Sequence, residues 1–411
     1  MSKHHTFVSE HGGPGRRSRV DAEPRRYTAF ERLVWPPESV ERWPQSPRLP
    51  VDHIVVDPSG QHVVVCFQGS AVVLQPYGAH LHLAPEQGRW VALATDDGLV
   101  YGPTLHPWDG SPSQRLTSAA LLLDDEPRLQ LAMVLEGSRW CCAVASTPTW
   151  SAPMVRIESR TRGATPPTPA EAAPKGDLAD DDHDDDDPGP SVETQWRAHL
   201  PGRGTAAVDD HGRMAVLTRE GLHVFAADPN ERAPGPSFRR DVAGTGYAVG
   251  AAAPGWVVLG ARDHQPLVPT EHPRRAQLRP AMGLQQRWET VVQAWHPDGR
   301  EAWQTTVPFE AHQPAIERPD GTVMIVGRGL AALADGAVQW HRPLGMAAAA
   351  TAFGDGRLAL VHGAQLQILD TAGRPEQTLE VPRHEAIVTQ PTIAPDGTLY
   401  VGTATRVYAV R

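Results

Sequence analysis

The densest set of potential metal ligands in this chain is a run of aspartates. It reads Asp180-Asp181-Asp182-His183 and continues as Asp184 to Asp187. Carboxylate oxygens bind hard cations such as Ca²⁺, but a calcium loop also needs a glycine and spaced ligands, which this run lacks. The composition favours a solvated, flexible tether. The alternative is that the run docks onto a basic partner surface or onto the arginine-rich N-terminus.

Histidines offer two further places for a metal ion. His80 and His82 alternate along a predicted strand and share one face, whereas His264, Glu271 and His272 lie in a long polar segment. Neither set has the ligand count or the spacing of a zinc site. We expect exposed polar side chains in both and predict no metal site.

No arrangement of catalytic residues stands out. His211 follows Asp209 and Asp210 in a stretch typical of a turn, with no nucleophile placed beside it. The sequence contains no G-x-S-x-G elbow, phosphate-binding loop or zinc-protease helix. Cys141 and Cys142 lie in a predicted strand, where neighbours point to opposite faces, so buried thiols are favoured. We therefore predict no catalytic and no cofactor-binding residue.

Composition narrows the functional classes. Much of the net charge of −10 comes from the aspartate run, and no basic face for nucleic acid is evident. Three cysteines cannot form a disulfide framework, and the N-terminus has no apolar leader. No apolar run approaches the roughly 18 residues that a membrane span requires. We expect a cytoplasmic protein that binds neither nucleic acid nor membranes.

Short alternating strands separated by glycine turns repeat along the chain. The clearest copy, Pro391 to Arg411, has a turn at Asp396-Gly397 between two strands and a third strand that ends at Val410. First turns are predicted near Gly60, Gly88, Pro127, Gly212, Gly255, Gly321, Gly356 and Gly397. Their spacing is mostly roughly 35 to 43 residues, as in propeller blades. The pattern predicts an all-β fold: a single β-propeller of seven or eight four-stranded antiparallel blades, nearly free of helix.

The repeats define the domain boundaries. Residues 1–26 are predicted to be a disordered tail, and residues 27–50 an extended arm. Residues 51–411 are predicted to form the propeller, interrupted by a disordered acidic insertion at 160–193 and a long loop at 263–287.

The arm has a predicted structural task. The last repeat ends without a fourth strand, and an unpaired sheet edge is prone to aggregation. We expect Tyr27–Trp35 to supply that strand; the alternative is that this segment packs on the outside.

The 263–287 loop is the predicted partner-binding segment, because long loops on a rigid scaffold usually carry binding. Its basic side chains could engage an acidic surface, and the alternative is an insertion without function. These side chains are Arg274, Arg275, Arg279 and Arg287.

The later repeats resemble the pyrroloquinoline-quinone-type propeller repeat, which is related in architecture to WD40 blades. The resemblance rests on Asp396-Gly397-Thr398-Leu399-Tyr400-Val401-Gly402-Thr403, and on glycine followed by tryptophan at Gly299 to Trp303 and Gly336 to Trp340. In that family the tryptophan docks between neighbouring blades. The resemblance is best over residues 290–411 and implies the fold more than the function.

Two functions are compatible with this resemblance. Quinoprotein alcohol dehydrogenases carry an adjacent-cysteine disulfide, as Cys141-Cys142 could form, but no matching set of calcium and quinone ligands is recognisable here. In general character the chain also resembles the propeller components of bacterial systems with MoxR-type AAA+ ATPases and von Willebrand A-domain (vWA) proteins. We expect a monomeric, non-catalytic scaffold for protein–protein interaction. The alternative is a quinone-dependent dehydrogenase or another propeller enzyme.

Overall fold

The computed structural model describes residues 19–20 and 22–33, most of 51–146 and of 205–263, and 288–411 except residue 405. The acidic insertion at 160–193 and residues 264–287 of the long loop lie outside the described residues. No helix in the described part is long and apolar enough to cross a membrane.

The described strands form eight sheets, which we number in chain order. Sheet 1 contains His53–Val56, Val63–Phe67, Ser70–Leu74 and His80–Leu83, and sheet 2 contains Ala92–Ala94, Gly98–Tyr101, Thr104–Pro107 and Gln114–Arg115. Sheet 3 contains Ser118–Leu123, Glu126–Glu136, Arg139–Ser146 and Arg89–Trp90, and sheet 4 contains Thr205–Val208, Met214–Thr218, Gly221–Phe225 and Pro236–Arg240.

Sheets 5 to 8 come from the second half of the chain, with two strands added from the N-terminus. Sheet 5 contains Thr245–Ala252, Gly255–Asp263, Trp288–Trp295 and Glu301–Val307, and sheet 6 contains Ile316–Glu317, Val323–Val326, Gly329–Ala334 and Ala337–Pro343. Sheet 7 contains Ala348–Phe353, Leu358–His362, Gln365–Leu369 and Pro375–Glu380, with Arg19–Val20 added; sheet 8 contains Thr392–Ile393, Leu399–Gly402, Val407–Val410 and Phe30–Leu33.

The prediction of a nearly all-β, antiparallel architecture is confirmed in these residues. Each sheet pairs its neighbouring strands antiparallel, apart from the parallel addition of Arg19–Val20. The helical content of the described part is one turn of 3₁₀ helix at Pro382–His384.

The second repeat was placed wrongly from the sequence. His80–Leu83 is the fourth strand of sheet 1, and the first two strands of sheet 2, Ala92–Ala94 and Gly98–Tyr101, both follow Gly88 instead of flanking it. A fourth strand alternates polar and apolar residues as a first strand does, so periodicity alone could not separate the two.

The Asp-Gly pairs form the predicted turns. In each, the aspartate Oδ1 accepts a hydrogen bond of 2.9 to 3.0 Å from the backbone N–H two residues on. The glycine between them has a φ of +79° to +88°, which a side chain would disfavour. The pairs are Asp298-Gly299, Asp320-Gly321, Asp355-Gly356 and Asp396-Gly397.

Buried apolar side chains join successive sheets face to face. Trp256 and Trp295 are buried in a cluster shared by sheets 4 and 5, and similar clusters join sheets 5 to 6, 6 to 7 and 7 to 8. A further cluster joins sheet 8 to sheet 1, where Ile54 packs with Tyr400 and Val407. The described sheets therefore pack in the order 4-5-6-7-8-1, as neighbouring propeller blades do.

An aromatic–glycine contact recurs between neighbouring sheets. Trp340, in the outer strand of sheet 6, lies against Gly373 in the last turn of sheet 7, where an added Cβ would be 2.3 Å from the ring. Trp303 lies against Gly336 in the same way. The inter-sheet tryptophan contact that the resemblance implied is thus present at two sites.

Phenylalanine takes the same position in sheet 4, where Phe238 lies against Gly299. An arginine two residues later adds a hydrogen bond to the same turn. Arg240 Nε donates to Gly299 O at 2.6 Å, and Arg342 Nη1 donates to Gly373 O at 3.1 Å.

An N-terminal strap, Arg19–Leu33, crosses the seam between sheets 7 and 8. Arg19–Val20 pairs with Ala352–Phe353, and Gly354 N donates to Ala22 O at 3.0 Å. Residues 19–20 and 22–26 of the strap thus lie within the range 1–26 that was predicted as a tail. The stabilising partners lie more than 300 residues away in the sequence, so local composition could not reveal them.

The strap ends as the outer strand of sheet 8. Phe30–Leu33 pairs antiparallel with Val407–Val410, and the Phe30 ring meets the Tyr408 ring edge-on at 5.7 Å. The buried Tyr27 hydroxyl donates to Gly397 O at 2.8 Å. Burial raises the pKa of Tyr27 to about 12, so it is a neutral donor at all ordinary pH values.

Replacing Trp340 by alanine should lower the free energy of unfolding by about 3 kcal/mol, because it empties the contact with Gly373. Val338 lies on the same strand and is exposed, so Val338→Ala should change it by less than about 0.5 kcal/mol. Urea unfolding of both variants measures the difference. Equal, small effects would contradict the importance of the contact.

Deleting residues 1–33 should destabilise the protein by about 4 kcal/mol or more, because it removes the buried Tyr27 and the half-buried Phe30 and exposes a strand edge. Deleting residues 1–18 keeps the strap and serves as the control. Thermal unfolding should show a lower Tm for the longer deletion alone. A Tm unaffected by the longer deletion would rule out this role of the strap.

Candidate interaction face

The connectors between sheets 5 and 8 lie beside the turns that join the second and third strands of those sheets. We call this surface the connector band and define it as residues 308–315, 344–347 and 381–391 with the turns at Gly327-Arg328, Gly363-Ala364 and Gly402-Thr403. The second strand of sheet 5 ends at Asp263, and the third begins at Trp288, so the long loop connects these two strands. Gly363 lies in the corresponding connection of sheet 7, between its second and third strands.

Backbone hydrogen bonds tie the connectors to the turns. Arg328 N donates to Glu310 O at 2.9 Å, and Leu344 N donates to Arg328 O at 3.0 Å. Ile387 N donates to Gly363 O at 2.8 Å, and the next residue, Val388, donates to Gly402 O at 2.8 Å. These bonds fix the connectors relative to the sheets, so binding to this face would require little ordering of the backbone.

Buried polar side chains fix the first strands beneath the band. The Gln313 amide bonds both backbone groups of Ala350, at 2.8 and 3.0 Å. Thr351 Oγ1 donates to Pro391 O at 2.6 Å, and Thr392 Oγ1 donates to Ile54 O at 2.8 Å. Sheets 6, 7, 8 and 1 are thus joined in sequence.

The sequence reasoning missed these inter-sheet bonds. A signal for them exists, because Gln-Pro precedes the first strand in two repeats, at Gln313-Pro314 and Gln390-Pro391. Gln390 Nε2 also donates to Ala350 O, at 2.8 Å.

Two large apolar side chains are exposed on the connector band. Met346 is 48% exposed and Val388 is 47% exposed. Both lie close to Gly363: the Met346 sulfur would be 3.1 Å from a Cβ added there, and Ile387, beside Val388, bonds its carbonyl. We call this place the Gly363 site.

Charged side chains lie on the connectors of the band. Glu385 forms an ion pair with Arg406, and Glu380 Oε2 lies 3.3 Å from His384 Nδ1. Farther along the band, Glu310 Oε2 lies 3.6 Å from Arg328 Nε.

Arg383 and His384 have left-handed backbones, with φ of 66° and 54°. Left-handed conformations cost roughly 1 to 2 kcal/mol per non-glycine residue. Such strain clusters at binding and switch regions, which makes this connector a candidate contact.

A histidine–aspartate pair lies outside the band, in the first turn of sheet 1. His62 Nδ1 is 3.2 Å from Asp57 Oδ2, and the His62 ring stacks on Trp108 of sheet 2 at 4.3 Å. The Ser59 hydroxyl donates to Asp57 and not to His62. These contacts form a turn and an inter-sheet contact, and the hydroxyl of Ser59 is directed to Asp57 instead of to His62.

Metal-ligating residues show no cluster in the part of the chain that the structure describes, where no three His, Cys, Asp or Glu side chains could hold an ion together. The predicted strand around Cys141 and Cys142 is present as Arg139–Ser146, and His80 and His82 lie in the outer strand of sheet 1. Asp209 accepts from Arg213 N at 2.8 Å and Nε at 2.6 Å.

The predicted partner-binding arginines fall beyond the described ranges. Arg274, Arg275, Arg279 and Arg287 all lie between Asp263 and Trp288, as do His264, Glu271 and His272.

No family model matches the sequence, and no curated protein matches it. Solved structures with similar folds include the WD40 β-propeller domain of Doa1 (10% identity, TM-score 0.39, 89% of this chain and 93% of that one). Another is the streptogramin B lyase structure (7% identity, TM-score 0.41, 93% of this chain and 96% of that one). A third is the Dos1 propeller (10% identity, TM-score 0.40, 88% of this chain and 78% of that one). At these identities the likeness concerns the fold alone.

Acidification should destabilise the protein through His362, in the turn beside Gly363. Burial, with a contribution from Arg342, lowers the pKa of His362 below its usual value. The folded state then binds the proton less readily than the unfolded state, so stability present above pH 6.5 is lost as pH falls through the folded pKa. His362→Gln should flatten the loss between pH 7 and 5, measured by urea unfolding. The matched control, exposed His341→Gln, should keep the wild-type slope.

Proposed function

We propose that this chain is a non-catalytic β-propeller scaffold whose connector band binds another protein. One observation carries the proposal: the connector band is fixed by backbone hydrogen bonds and carries two exposed large apolar side chains, Met346 and Val388. Exposed apolar groups on a rigid surface are typical of protein-binding sites, because their burial supplies free energy and little ordering opposes it.

The number of blades and the type of repeat are part of the same proposal. The eight described sheets support a ring of eight blades, with the strap completing the last blade beside the first. The contacts of Trp303 and Trp340 support blades of the pyrroloquinoline-quinone type.

The partner class follows from the general resemblance noted in the sequence. We propose a MoxR-type AAA+ ATPase or a vWA protein of a bacterial cytoplasmic system as the first partner to test. The arginines of the 263–287 loop would then add contacts on the same side of sheet 5.

The test compares recovery of that purified partner by three tagged forms of the chain. Wild type should bind, whereas the double variant Met346→Glu with Val388→Glu should bind at least about tenfold more weakly, because two charges enter the apolar contact. Val338→Glu introduces a charge at an exposed apolar residue of the outer strand and should bind as wild type.

Equal binding by all three forms would show that the connector band is not the contact face. Circular dichroism and the Tm of each variant must match the wild type for the comparison to count.

A further inference from the structure

The N-terminal strap forms a clip around sheets 7 and 8. Its first strand, Arg19–Val20, pairs with Ala348–Phe353, the first strand of sheet 7, and its last strand, Phe30–Leu33, is the outer strand of sheet 8. Between these strands the strap passes the first turn of sheet 7, where Gly354 N donates to Ala22 O. The strap therefore holds one edge of each sheet, and its base lies at the first turns.

The parallel pairing of Arg19–Val20 fixes the direction of the chain that precedes it. Ala348–Phe353 begins at residues 344–347 of the connector band and ends at the first turn, where Gly356 N donates to Phe353 O. A parallel neighbour runs in the same direction as this strand. Going back along the chain from Arg19 thus leads toward the connector band.

The edge that Arg19–Val20 occupies is closed on the side of the band. Arg19 lies opposite Ala352, and residues two apart in a strand direct their backbone groups to the same edge. The Gln313 amide bonds both backbone groups of Ala350, at 2.8 and 3.0 Å, and Gln390 Nε2 donates to the same carbonyl at 2.8 Å. The residues before Arg19 therefore cannot continue the parallel strand, and the chain leaves the sheet there.

The connector band carries uncovered apolar side chains on this side of the sheets. Met346 is 48% exposed and Val388 is 47% exposed. Met346 precedes Ala352, the partner of Arg19, by six residues, a distance of roughly 20 Å along an extended chain.

The segment before Arg19 contains one pair of adjacent large apolar residues, Phe7 and Val8. Val8 precedes Arg19 by 11 residues, and an extended segment of that length spans up to about 36 Å. The segment is thus long enough to bring this pair onto Met346, and it leaves the sheet in the required direction.

We propose that Phe7 and Val8 cover Met346 and Val388 of the same chain and thereby compete with a protein partner for the connector band. The contact removes apolar surface from water on both sides, and the strap keeps the segment at roughly millimolar effective concentration. Only the competition rests on the proposed function, since the contact lies within one chain.

Methyl NMR of the full chain tests the contact without any partner. The chain contains seven methionines, so methyl-labelled methionine gives few signals, and Met346→Leu assigns the one of interest. Deleting residues 1–18 keeps the strap and should move the Met346 signal, because the methionine loses its cover. The double variant Phe7→Ser with Val8→Ser should move the signal to the same position. The buried Met324 signal should stay fixed.

The matched control keeps the apolar character of the segment. Phe7→Leu with Val8→Ile should leave the Met346 signal at its wild-type position. A signal that stays in place in the serine variant would overturn the contact, and so would equal shifts in the serine variant and in this control.

A mixing experiment separates contact within one chain from contact between copies. Labelled chain without residues 1–18 is mixed with unlabelled wild type at about 0.1 mM, below the effective concentration of a tethered segment. The labelled Met346 signal should keep the position that it has in the deletion variant alone. A return to the wild-type position would show that a second copy supplies the segment, and the inference would fall.

The competition is measured with the purified partner of the proposed function. The serine variant should bind that partner at least about threefold more tightly than wild type, because the competing contact is lost. Equal affinities would overturn the competition.

The two proposals fail separately. If the Met346 signal does not respond to the serine variant while the charged double variant at Met346 and Val388 loses its partner, the scaffold function stands and this inference falls. If the signal responds and no partner binds, the contact stands and the proposed function falls.

Discussion

Sheets 4 to 7 depend on one recurring contact, in which an aromatic ring of one sheet lies on a glycine of the next. The outer strand contributes Phe238, Trp303 or Trp340, and the next sheet contributes a glycine in its last turn. The glycine is required because the ring occupies the space of a Cβ and because the turn has a positive φ. A four-stranded sheet cannot bury both faces by itself, so this contact and the apolar clusters beside it make the sheets stable as a set.

Among the described residues, the outer strand of sheet 7 has no aromatic residue at the corresponding position, and the strap packs there instead. In sheets 5 and 6 a tryptophan lies four residues after the turn glycine: Trp303 follows Gly299, and Trp340 follows Gly336. In sheet 7 the residue four positions after Gly373 is Gln377. Tyr27 of the strap enters this seam, donating its backbone N–H to Gln377 Oε1 at 3.3 Å and its hydroxyl to Gly397 O. A segment from the other end of the chain thus occupies the seam where the repeat lacks its aromatic residue.

Local chemistry made part of this structure predictable. Asp-Gly pairs bend the chain wherever they occur, so turns at Gly299, Gly321, Gly356 and Gly397 could be read from sequence. The tryptophan contacts followed from the repeat resemblance. The fourth strand of sheet 1 was misassigned because alternation is the same in first and fourth strands.

Features that depend on distant contacts could not be predicted. The early start of the strap depends on Ala352 and Phe353, and the Gln313 amide on Ala350. The exposure of Met346 and Val388 is also invisible in sequence, since apolar residues in a connector are usually covered by their neighbours. The arginine-rich loop predicted to bind a partner lies outside the described residues and stays a prediction.

The position of the strap also determines when its contacts can form during translation. Tyr27 leaves the ribosome early, yet its hydroxyl bonds a residue 370 positions later. Until sheets 7 and 8 emerge, Tyr27 and Phe30 have no native partner, and the nascent chain exposes them up to that point. Closing so long a loop has an entropic cost, and the contact cannot form until the chain through Val410 has been synthesised, so the nascent chain is prone to aggregation until then.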